Sequence, residues 1–221
     1  MTDGLFSVAP KKKVFFSKGN LQYQPSTKTW RFAESQLEYL EVDCDDESLE
    51  QDGWMDQFGW GTGNDPLFSS EDFGAYKKFV DWGKNSIGGD KANTWRTLRI
   101  DEWYHLLYER QTKSGIRFAK AIVDDVEGVI LLPDGWEGSF EFNEADDKGA
   151  DFGENEISAD EWESLEKEGA VFLPVIDGVG EYWSSSNVSE FSWCLVISDD
   201  MYEEDLEPFI PASVRLVRDA K

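Results

Sequence analysis

The lone histidine is the first residue to test for catalytic chemistry. His105 lies in the segment IDEWYHLL, two positions after Trp103, and no second histidine or cysteine is close to it in the sequence. Serine-protease triads, zinc sites and helical metalloprotease motifs all need further partners at defined spacings. We therefore predict that His105 is a helix-surface residue and not a catalytic base.

The two cysteines, Cys44 and Cys194, lie far apart in the chain and match no zinc-binding spacing. They can form one disulfide if the fold brings them together, and two free thiols are the simpler alternative. The pattern therefore predicts no thiolate metal site and leaves the pairing open.

Glycine-rich and acidic stretches suggest phosphate and calcium sites, but none of them completes a motif. GWGTGN (59–64) and SIGGDK (86–91) lack the residues that finish a dinucleotide or phosphate loop. ADDKGADFGENE (145–156) departs from the calcium loop of EF-hands, although an irregular carboxylate site stays open. Carboxylates are so numerous that no pair stands out for glycoside hydrolysis. We predict no metal and no cofactor.

The charge balance limits the partners. The chain has 46 acidic residues against 21 Lys and Arg, which gives a net charge of −25. This charge repels phosphate backbones and anionic lipids, so we expect no nucleic-acid partner and an electropositive surface on any protein ligand. No apolar run reaches about 18 residues, and no secretory apolar region follows the N-terminus, so membrane insertion is not expected. We expect a monomer.

The segment YWSSSNVSEFSWCLV (182–196) combines aromatic residues with serines near the C-terminus. In FSWCLVIS, strand alternation places Phe191, Trp193, Leu195 and Ile197 on one face and Ser192, Cys194, Val196 and Ser198 on the other. One face must pack on the core, while the other is free to meet a ligand. Aromatic residues beside Asn, Ser and acids are typical of adaptable binding surfaces, but a core strand with a solvated turn is the alternative.

Several short elements are predicted around this segment. The runs 14–17, 21–24 and 29–33, separated by turn residues, indicate an antiparallel meander. The acid-rich run 41–52 is predicted to be a solvated loop, and 53–66 a long loop anchored by Trp54, Phe58 and Trp60. The segment 73–83 is predicted to be a short helix, because Tyr76, Phe79 and Val80 recur at helical spacing.

Two further helices and three strands complete the prediction. Residues 100–110 place Trp103, Leu106 and Leu107 on one face, and residues 158–169 begin at a capping box. The acidic run 141–163 is predicted to be loop up to that cap. The runs 129–133 and 171–174 are predicted strands, and 213–217 is predicted to pair with 14–17. Nothing resembles a linker, so residues 1–221 are predicted to form one domain.

The order of the motifs resembles a known group of proteins. The chain contains VFFSKGNLQYQPSTKTWRFAE, GWMDQFGWGTGN, FVDWG, TWRTLRIDEWYHLL, VEGVILLPDGW, EWESLEKEGAVFLP, YWSSS and SVRLV in this order, over about residues 5–218. They resemble bacterial and phage proteins with a C-type-lectin-like fold of the formylglycine-generating-enzyme type. This group includes the variable proteins of diversity-generating retroelements and related surface proteins of gut bacteria.

The resemblance implies an α+β fold with paired terminal strands, two flanking helices and a small antiparallel sheet near the C-terminus. It also implies a ligand-binding surface between Asn187 and Pro211 that recognises a protein or glycan. The predicted ligand-binding residues are Asn187, Val188, Glu190, Phe191, Trp193, Met201, Tyr202, Glu203 and Phe209. An extracellular, cell-surface or virion-associated location is implied as well.

The enzyme branch of this group uses a pair of reactive cysteines late in the chain, whereas Cys194 stands alone there. A non-enzymatic binding protein is therefore the favoured interpretation. The alternatives are a hydrolase or oxidase on the same fold, and a structural module of a phage or cell-surface assembly.

Overall fold

A computed structural model describes residues 2–40, 53–76 and 78–221, and the chain is a strand-rich α+β protein. The acidic loop predicted for 41–52, with Cys44, lies outside the described residues. The strands are β1 Phe6–Ala9, β2 Lys12–Phe16, β3 Leu21–Gln24, β4 Thr29–Phe32, β5 Gln57–Phe58, β6 Arg96–Thr97, β7 Phe118–Val123, β8 Val126–Leu131, β9 Glu156–Ile157, β10 Val171–Pro174, β11 Gly180–Val188, β12 Phe191–Ile197, β13 Met201–Leu206, β14 Ala212–Ser213 and β15 Leu216–Asp219. The helices are α1 Ile100–Tyr104, which continues as a π-turn over His105–Glu109, and α2 Ala159–Lys167.

The two ends of the chain meet in one sheet with the strand order β1-β2-β15-β6. β15 runs antiparallel to β2, with Val217 opposite Phe16 and Arg218 opposite Phe15. This confirms the predicted pairing of the terminal strands. The predicted strand 213–217 is broken, however: β14 ends at Ser213, the carbonyl of Val214 accepts from the N–H of Leu21 at 2.9 Å, and β15 begins at Leu216. The buried side chain of Arg215 lies at this break and donates to the carbonyl of Lys18 at 3.1 Å. The chain passes there from β14, in the C-terminal sheet, to β15 in the terminal sheet.

The other predicted strands are also present. β3 and β4 form an antiparallel hairpin in which the rings of Tyr23 and Trp30 lie 4.6 Å apart. β10 pairs antiparallel with β8, with Val171 opposite Leu131, so the predicted strands 129–133 and 171–174 lie side by side. Within the predicted loop 141–163, a 3₁₀ turn forms over Phe152–Glu154, and β9 pairs parallel with β7 before the helix begins.

The segment 100–110 forms the predicted helix, and its apolar face is buried. Trp103, Leu106 and Leu107 are fully buried, as the spacing predicted. Glu102 in the first turn accepts hydrogen bonds from Arg96 at 2.6 Å and from Lys12 at 2.7 Å. Burial opposes ionisation of Glu102, but these hydrogen bonds outweigh it and hold its pKa below the usual value. These hydrogen bonds connect the first turn of α1 to β2 and β6 of the terminal sheet.

α2 begins at the predicted capping box. The backbone N–H of Ser158 donates to Glu161 Oε2 at 2.9 Å, and the N–H of Glu161 donates back to Ser158 Oγ at 3.5 Å. The helix is followed by Gly169 with φ +93°, a conformation that favours glycine. Both ends of the helix are therefore encoded by local residues, as predicted.

The capping box leads to a stability prediction. Ser158→Ala is expected to lower the free energy of unfolding by about 1 kcal/mol, because amide groups of the first turn lose their side-chain acceptor. Ser164→Ala is the matched control: this serine donates to the carbonyl of Asp160 within the helix, and its loss is expected to be neutral or slightly stabilising. Urea unfolding measures the change in unfolding free energy for both variants. Equal losses of unfolding free energy would contradict the assignment of Ser158 as the N-cap.

The prediction of a helix over 73–83 is wrong. Two separate 3₁₀ turns form instead, over Phe73–Ala75 and Trp82–Lys84. Asp72 and Asp81 each accept a hydrogen bond from a glycine N–H two residues on, which closes a single turn. Between the turns, the backbone of Val80 bonds to Gly61 and Gly63 and is not available for a helix. The neighbouring segment 53–66 is anchored in part as predicted: Phe58 and Trp60 are buried, Trp54 is half-buried beneath Arg31, and the short strand β5 interrupts the predicted loop.

The C-terminal sheet has the order β13-β12-β11-β14-β5 and lies between two hydrophobic clusters. One cluster contains Tyr182, Leu195, Ile197 and Met201 together with the buried face of α1. The other contains Trp183, Cys194 and Val196 with the aromatic residues of the loops. From Cys194 to Ile197 both faces of β12 are buried, so neither face of this stretch is free for a ligand.

Candidate ligand-binding surface

The hairpin of β11 and β12 places the start of the predicted binding region at the surface. Its turn contains Ser189, with φ 55°, and Glu190, and Val188 lies directly opposite Phe191. The pairing is irregular between Trp183 and Asn187, where the three serines lie. Only the part of the hairpin beyond this irregularity is exposed.

The three serines connect the hairpin to the start of α1. The hydroxyl of Ser184 donates to the carbonyl of Trp193 at 2.7 Å, and the N–H of Ser185 donates to the carbonyl of Leu98 at 2.8 Å. The hydroxyl oxygen of Ser186 accepts from the N–H of Ile100 at 3.1 Å. Because serine is short and both donates and accepts, it can bond to the backbone without filling the gap between the two elements. These hydrogen bonds therefore hold the base of the hairpin in place below its exposed tip.

An apolar patch lies at the tip of the hairpin. Val188 is 49% exposed and Phe191 is 38% exposed. The ring of Phe73 lies edge-to-face with Phe191 and with Phe209, both at 5.6 Å between centroids. We call these four residues, Phe73, Val188, Phe191 and Phe209, the hairpin patch. Clustered exposed apolar groups of this kind are typical of recognition surfaces.

A polar groove of about 880 Å³ lies beside the hairpin, and we call it the hairpin groove. It is lined by Lys12, Phe79, Asp81, Arg96, Thr97, Arg99, Ile100, Ser185, Ser186, Asn187, Val188 and Trp193. The cations here are paired: Arg96 also bonds to Asp219 at 2.8 Å, and Arg99 bonds to Asp101 at 2.8 Å. The groove therefore offers a half-buried indole, an amide, hydroxyls and the carboxylate of Asp81, which accepts from the N–H groups of Gly83 and Thr97. This set of groups suits a ligand rich in hydroxyl groups.

The predicted site residues on β13 do not share one surface. Met201 is fully buried opposite Ile197, so its assignment to the binding surface is wrong. Tyr202 pairs with Val196 and Glu203 with Leu195, and the two side chains therefore point to opposite faces of the sheet. Tyr202 is 37% exposed, whereas Glu203 is half-buried. Side chains alternate between the two faces along β13 as they do along β12, and this alternation places Tyr202 and Glu203 on different surfaces.

The remaining predicted residues lie at or near the hairpin. Asn187 and Glu190 are exposed, while Trp193 and Phe209 are half-buried. Phe73, which joins Phe191 to Phe209, was not among the predicted residues, because its position depends on the 3₁₀ turn that replaced the predicted helix. The indole-lined groove was likewise missed, since its second wall comes from residues 96–100.

Two titratable groups, Cys194 and His105, were weighed as catalytic candidates. Cys194 is a free, buried thiol, and burial first, then the nearby Glu181 and Glu204, raise its pKa. His105 Nδ1 lies 2.9 Å from Glu109 Oε2, one turn along the same helix. Glu109 holds His105 as the carboxylate of a triad does, but within the described part of the chain no serine or cysteine is hydrogen-bonded to His105, and Cys194 is packed in a hydrophobic cluster.

Within residues 2–40, 53–76 and 78–221, no group of three or more His, Cys, Asp or Glu side chains is placed to hold a metal ion. The same residues contain no helix that is long and apolar enough to cross a membrane. Comparison of the chain with protein-family models, curated proteins and solved structures gave no match.

Proposed function

We propose that this protein is a non-enzymatic recognition protein that binds a protein or glycan ligand through the surface of residues 187–211. The proposed fold is C-type-lectin-like, of the formylglycine-generating-enzyme type, and the protein is proposed to be a target of a diversity-generating retroelement. The support comes from the order of the sequence motifs, together with a pairing of terminal strands of the kind that the resemblance implies.

The observation that carries the proposal is the hairpin patch. Val188 and Phe191 are large, exposed and adjacent, and they lie on a hairpin that is fixed to the start of α1 by serine hydrogen bonds. Exposed apolar area is unfavourable in water unless a partner covers it. A rigid support lowers the entropy that is lost on binding, so the patch is suited to contact a ligand.

The hairpin groove extends this surface with polar groups. Trp193 offers an aromatic face, and Asn187 supplies amide donors and acceptors at the same rim. Aromatic residues beside small polar residues are the usual composition of binding surfaces that accept many ligands. The net charge of −25 favours a ligand that is neutral or electropositive.

A non-enzymatic role is part of the proposal. The cations that line the hairpin groove are paired with carboxylates, and Cys194 is buried on one face of the C-terminal sheet. An extracellular, cell-surface or virion-associated location follows from the same resemblance and is proposed with it.

Sequencing of the genomic DNA around the coding gene tests the proposed function. We expect a reverse-transcriptase gene and a near-copy of the segment that encodes residues 187–211. Differences between the copies should fall at the exposed positions Asn187, Val188 and Phe191, because changes there leave the core intact. They should spare the buried Leu195 and Ile197, whose replacement leaves a cavity.

The opposite distribution would count against the proposal. Differences that fall on buried and exposed positions alike, or a locus without a reverse transcriptase and a near-copy, would show that this surface is not diversified.

A further inference from the structure

The outer edge of β13 is open, unlike the edges formed by β1 and β10. On β1, the N–H of Ser7 donates to Asp134 Oδ1 at 3.0 Å. On β10, the N–H of Phe172 donates to Gln36 Oε1 at 3.0 Å. A side chain therefore closes each of these two edges, and a further strand would have to displace it before pairing there.

β13 is the last strand of the C-terminal sheet and pairs with β12 alone. At its start, the carbonyl of Met201 accepts from the hydroxyl of Tyr108 at 3.1 Å. From Tyr202 to Leu206, no side chain from outside the β12–β13 hairpin hydrogen-bonds to the backbone within the described residues, and no second strand pairs with it there. Because alternate residues of an edge strand point their N–H and C=O groups away from the neighbouring strand, this stretch presents unpaired backbone groups to solvent.

The geometry of β13 suits the addition of a strand. Its register on β12 runs without a bulge from Met201 to Leu206, and it contains no proline. Bulges and prolines are among the usual devices that prevent pairing at an edge. An added strand lies about 4.8 Å from its neighbour, so it needs open space beside the edge. A groove of about 680 Å³ provides this space, and it is lined by Tyr202, Glu203, residues 144–148, Tyr104 and Tyr108.

The charge of the edge favours one kind of strand. Residues 199–207 contain six acidic residues and no Lys or Arg. Asp200 has Lys148 Nζ at 3.8 Å, whereas Glu203, Glu204 and Asp205 form no ion pair within the described part of the chain. A second copy of β13 would place like charges opposite one another, which is destabilising, while a basic strand would place opposite charges there. The acids therefore oppose self-pairing and attract a basic segment.

We propose that the outer edge of β13 binds an extended, basic segment of a partner protein, which adds to the five-stranded C-terminal sheet as a further strand. Main-chain hydrogen bonds to Tyr202–Leu206 supply affinity, and Lys or Arg side chains beside Glu204 and Asp205 supply selectivity. The edge lies within residues 187–211, so this inference rests on the proposed function and narrows the ligand to a protein.

Three peptides of one length test the proposal on the unaltered protein. The first is acetyl-Thr-Lys-Val-Lys-Thr-Lys-Val-amide, the second is the same peptide with N-methyl groups on two neighbouring central amides, and the third has glutamate in place of every lysine. Neighbouring amides of a strand face opposite edges, so the methyl groups block both edges and leave the charge unchanged. Each peptide is titrated into the ¹⁵N-labelled protein, and amide chemical shifts and hydrogen exchange are followed by NMR.

We expect the first peptide to shift the signals of residues 201–206 and to slow the exchange of the amides in 202–206 that face away from β12. The methylated peptide should bind at least about tenfold more weakly, because it loses main-chain donors at the centre of the pairing. The glutamate peptide should produce no shifts in this stretch, since it places like charges opposite one another.

Charge reversal on the protein assigns the contact. Glu204→Lys is expected to weaken binding of the lysine peptide about tenfold, and Asp205→Lys repeats the test from the other face of the strand. Both side chains are exposed, so the fold should tolerate the changes. Asp3→Lys is the matched control: it alters the net charge equally at another exposed position and should leave binding within about twofold of the wild type.

Three results would overturn the proposal: equal binding of the methylated and unmethylated peptides, equal effects of Glu204→Lys and Asp3→Lys, or shifts that lie outside β13 and the groove beside it. A dimer in which the amides of 202–206 are protected without peptide would also overturn it, because a second copy would then cover the edge. Analytical ultracentrifugation of the free protein makes this last check.

Phe191→Ala separates this inference from the proposed function. The substitution leaves β13 unchanged, so this variant should bind the lysine peptide as the wild type does. Failure of the peptide test therefore refutes strand addition alone, while unchanged binding of the selected ligand by Phe191→Ala refutes the hairpin surface.

Discussion

Replacing Trp183 with alanine is expected to lower the free energy of unfolding by about 4 kcal/mol. Trp183 is fully buried, and its indole N–H donates to the carbonyl of Phe58 at 2.6 Å. The substitution leaves a large cavity in the second hydrophobic cluster and an unsatisfied carbonyl, and both effects destabilise the fold. Urea unfolding followed by circular dichroism measures the loss.

Trp193→Ala is the matched comparison, because it removes the same side chain ten residues further along the same hairpin. Trp193 is half-buried at the hairpin groove, and we expect its loss to cost about 1.5 kcal/mol or less. Similar losses for the two variants would mean that Trp193 is a core residue and that the hairpin groove is not a binding surface.

Phe191→Ala is expected to weaken ligand binding by about 2 kcal/mol, which corresponds to roughly 30-fold in Kd. Phe191 is the exposed aromatic residue of the hairpin patch, and its neighbour Phe73 orients the ring from one side. Central aromatic anchors of an interface often contribute this much, because they fill a pocket and exclude water. The free energy of unfolding should fall by only about 1 kcal/mol, since the edge-to-face contact with Phe73 is the main loss within the fold.

Binding is measured with ligands that the wild-type protein selects from a glycan microarray and from an array of purified cell-surface proteins. Biolayer interferometry then gives Kd for each variant. Val179→Ala is the control, because this residue is 47% exposed and lies in a turn outside the 187–211 region. Equal Kd values for Phe191→Ala and the wild type would remove the hairpin patch from the binding site.

Local patterns predicted much of the secondary structure. The capping box at Ser158 and the stop at Gly169 lie within a few residues of the helix that they define, so no distant contact is needed to recognise them. The terminal strands 14–17 and 213–217 were predicted to pair because each was apolar and had no other partner, and β2 and β15 do pair. β1 was missed, since FSVA has only four residues, although its side chains do alternate between buried and half-buried positions.

The helix predicted for 73–83 shows where periodicity fails. Tyr76, Phe79 and Val80 recur at helical spacing, and Tyr76 is buried, yet the backbone there bonds to Gly61 and Gly63. Those glycines are far enough away in sequence that no local window includes them. Spacing predicts which side chains are buried, but it does not show which hydrogen bonds the backbone makes.

The candidate site was predicted in part. Asn187, Val188 and Phe191, which the resemblance placed in the binding region, are exposed. The assignment of Met201 to the binding surface was wrong because side chains on a strand alternate between its faces, and the sequence does not specify which face α1 covers. Phe73 was absent from the prediction, because it reaches the hairpin patch from a turn more than 100 positions away.

By itself, then, the sequence determined the elements whose signals are local: the capped helix α2, the buried face of α1, the paired ends of the chain and an acidic surface. Only the tertiary structure decided which exposed groups share a surface. The packing of the C-terminal sheet between two hydrophobic clusters buries both faces of β12 from Cys194 to Ile197, and the register of β13 on β12 sends Tyr202 and Glu203 to opposite sides. The physical reason is that a binding surface depends on distances between side chains from remote segments, and packing of the core sets those distances.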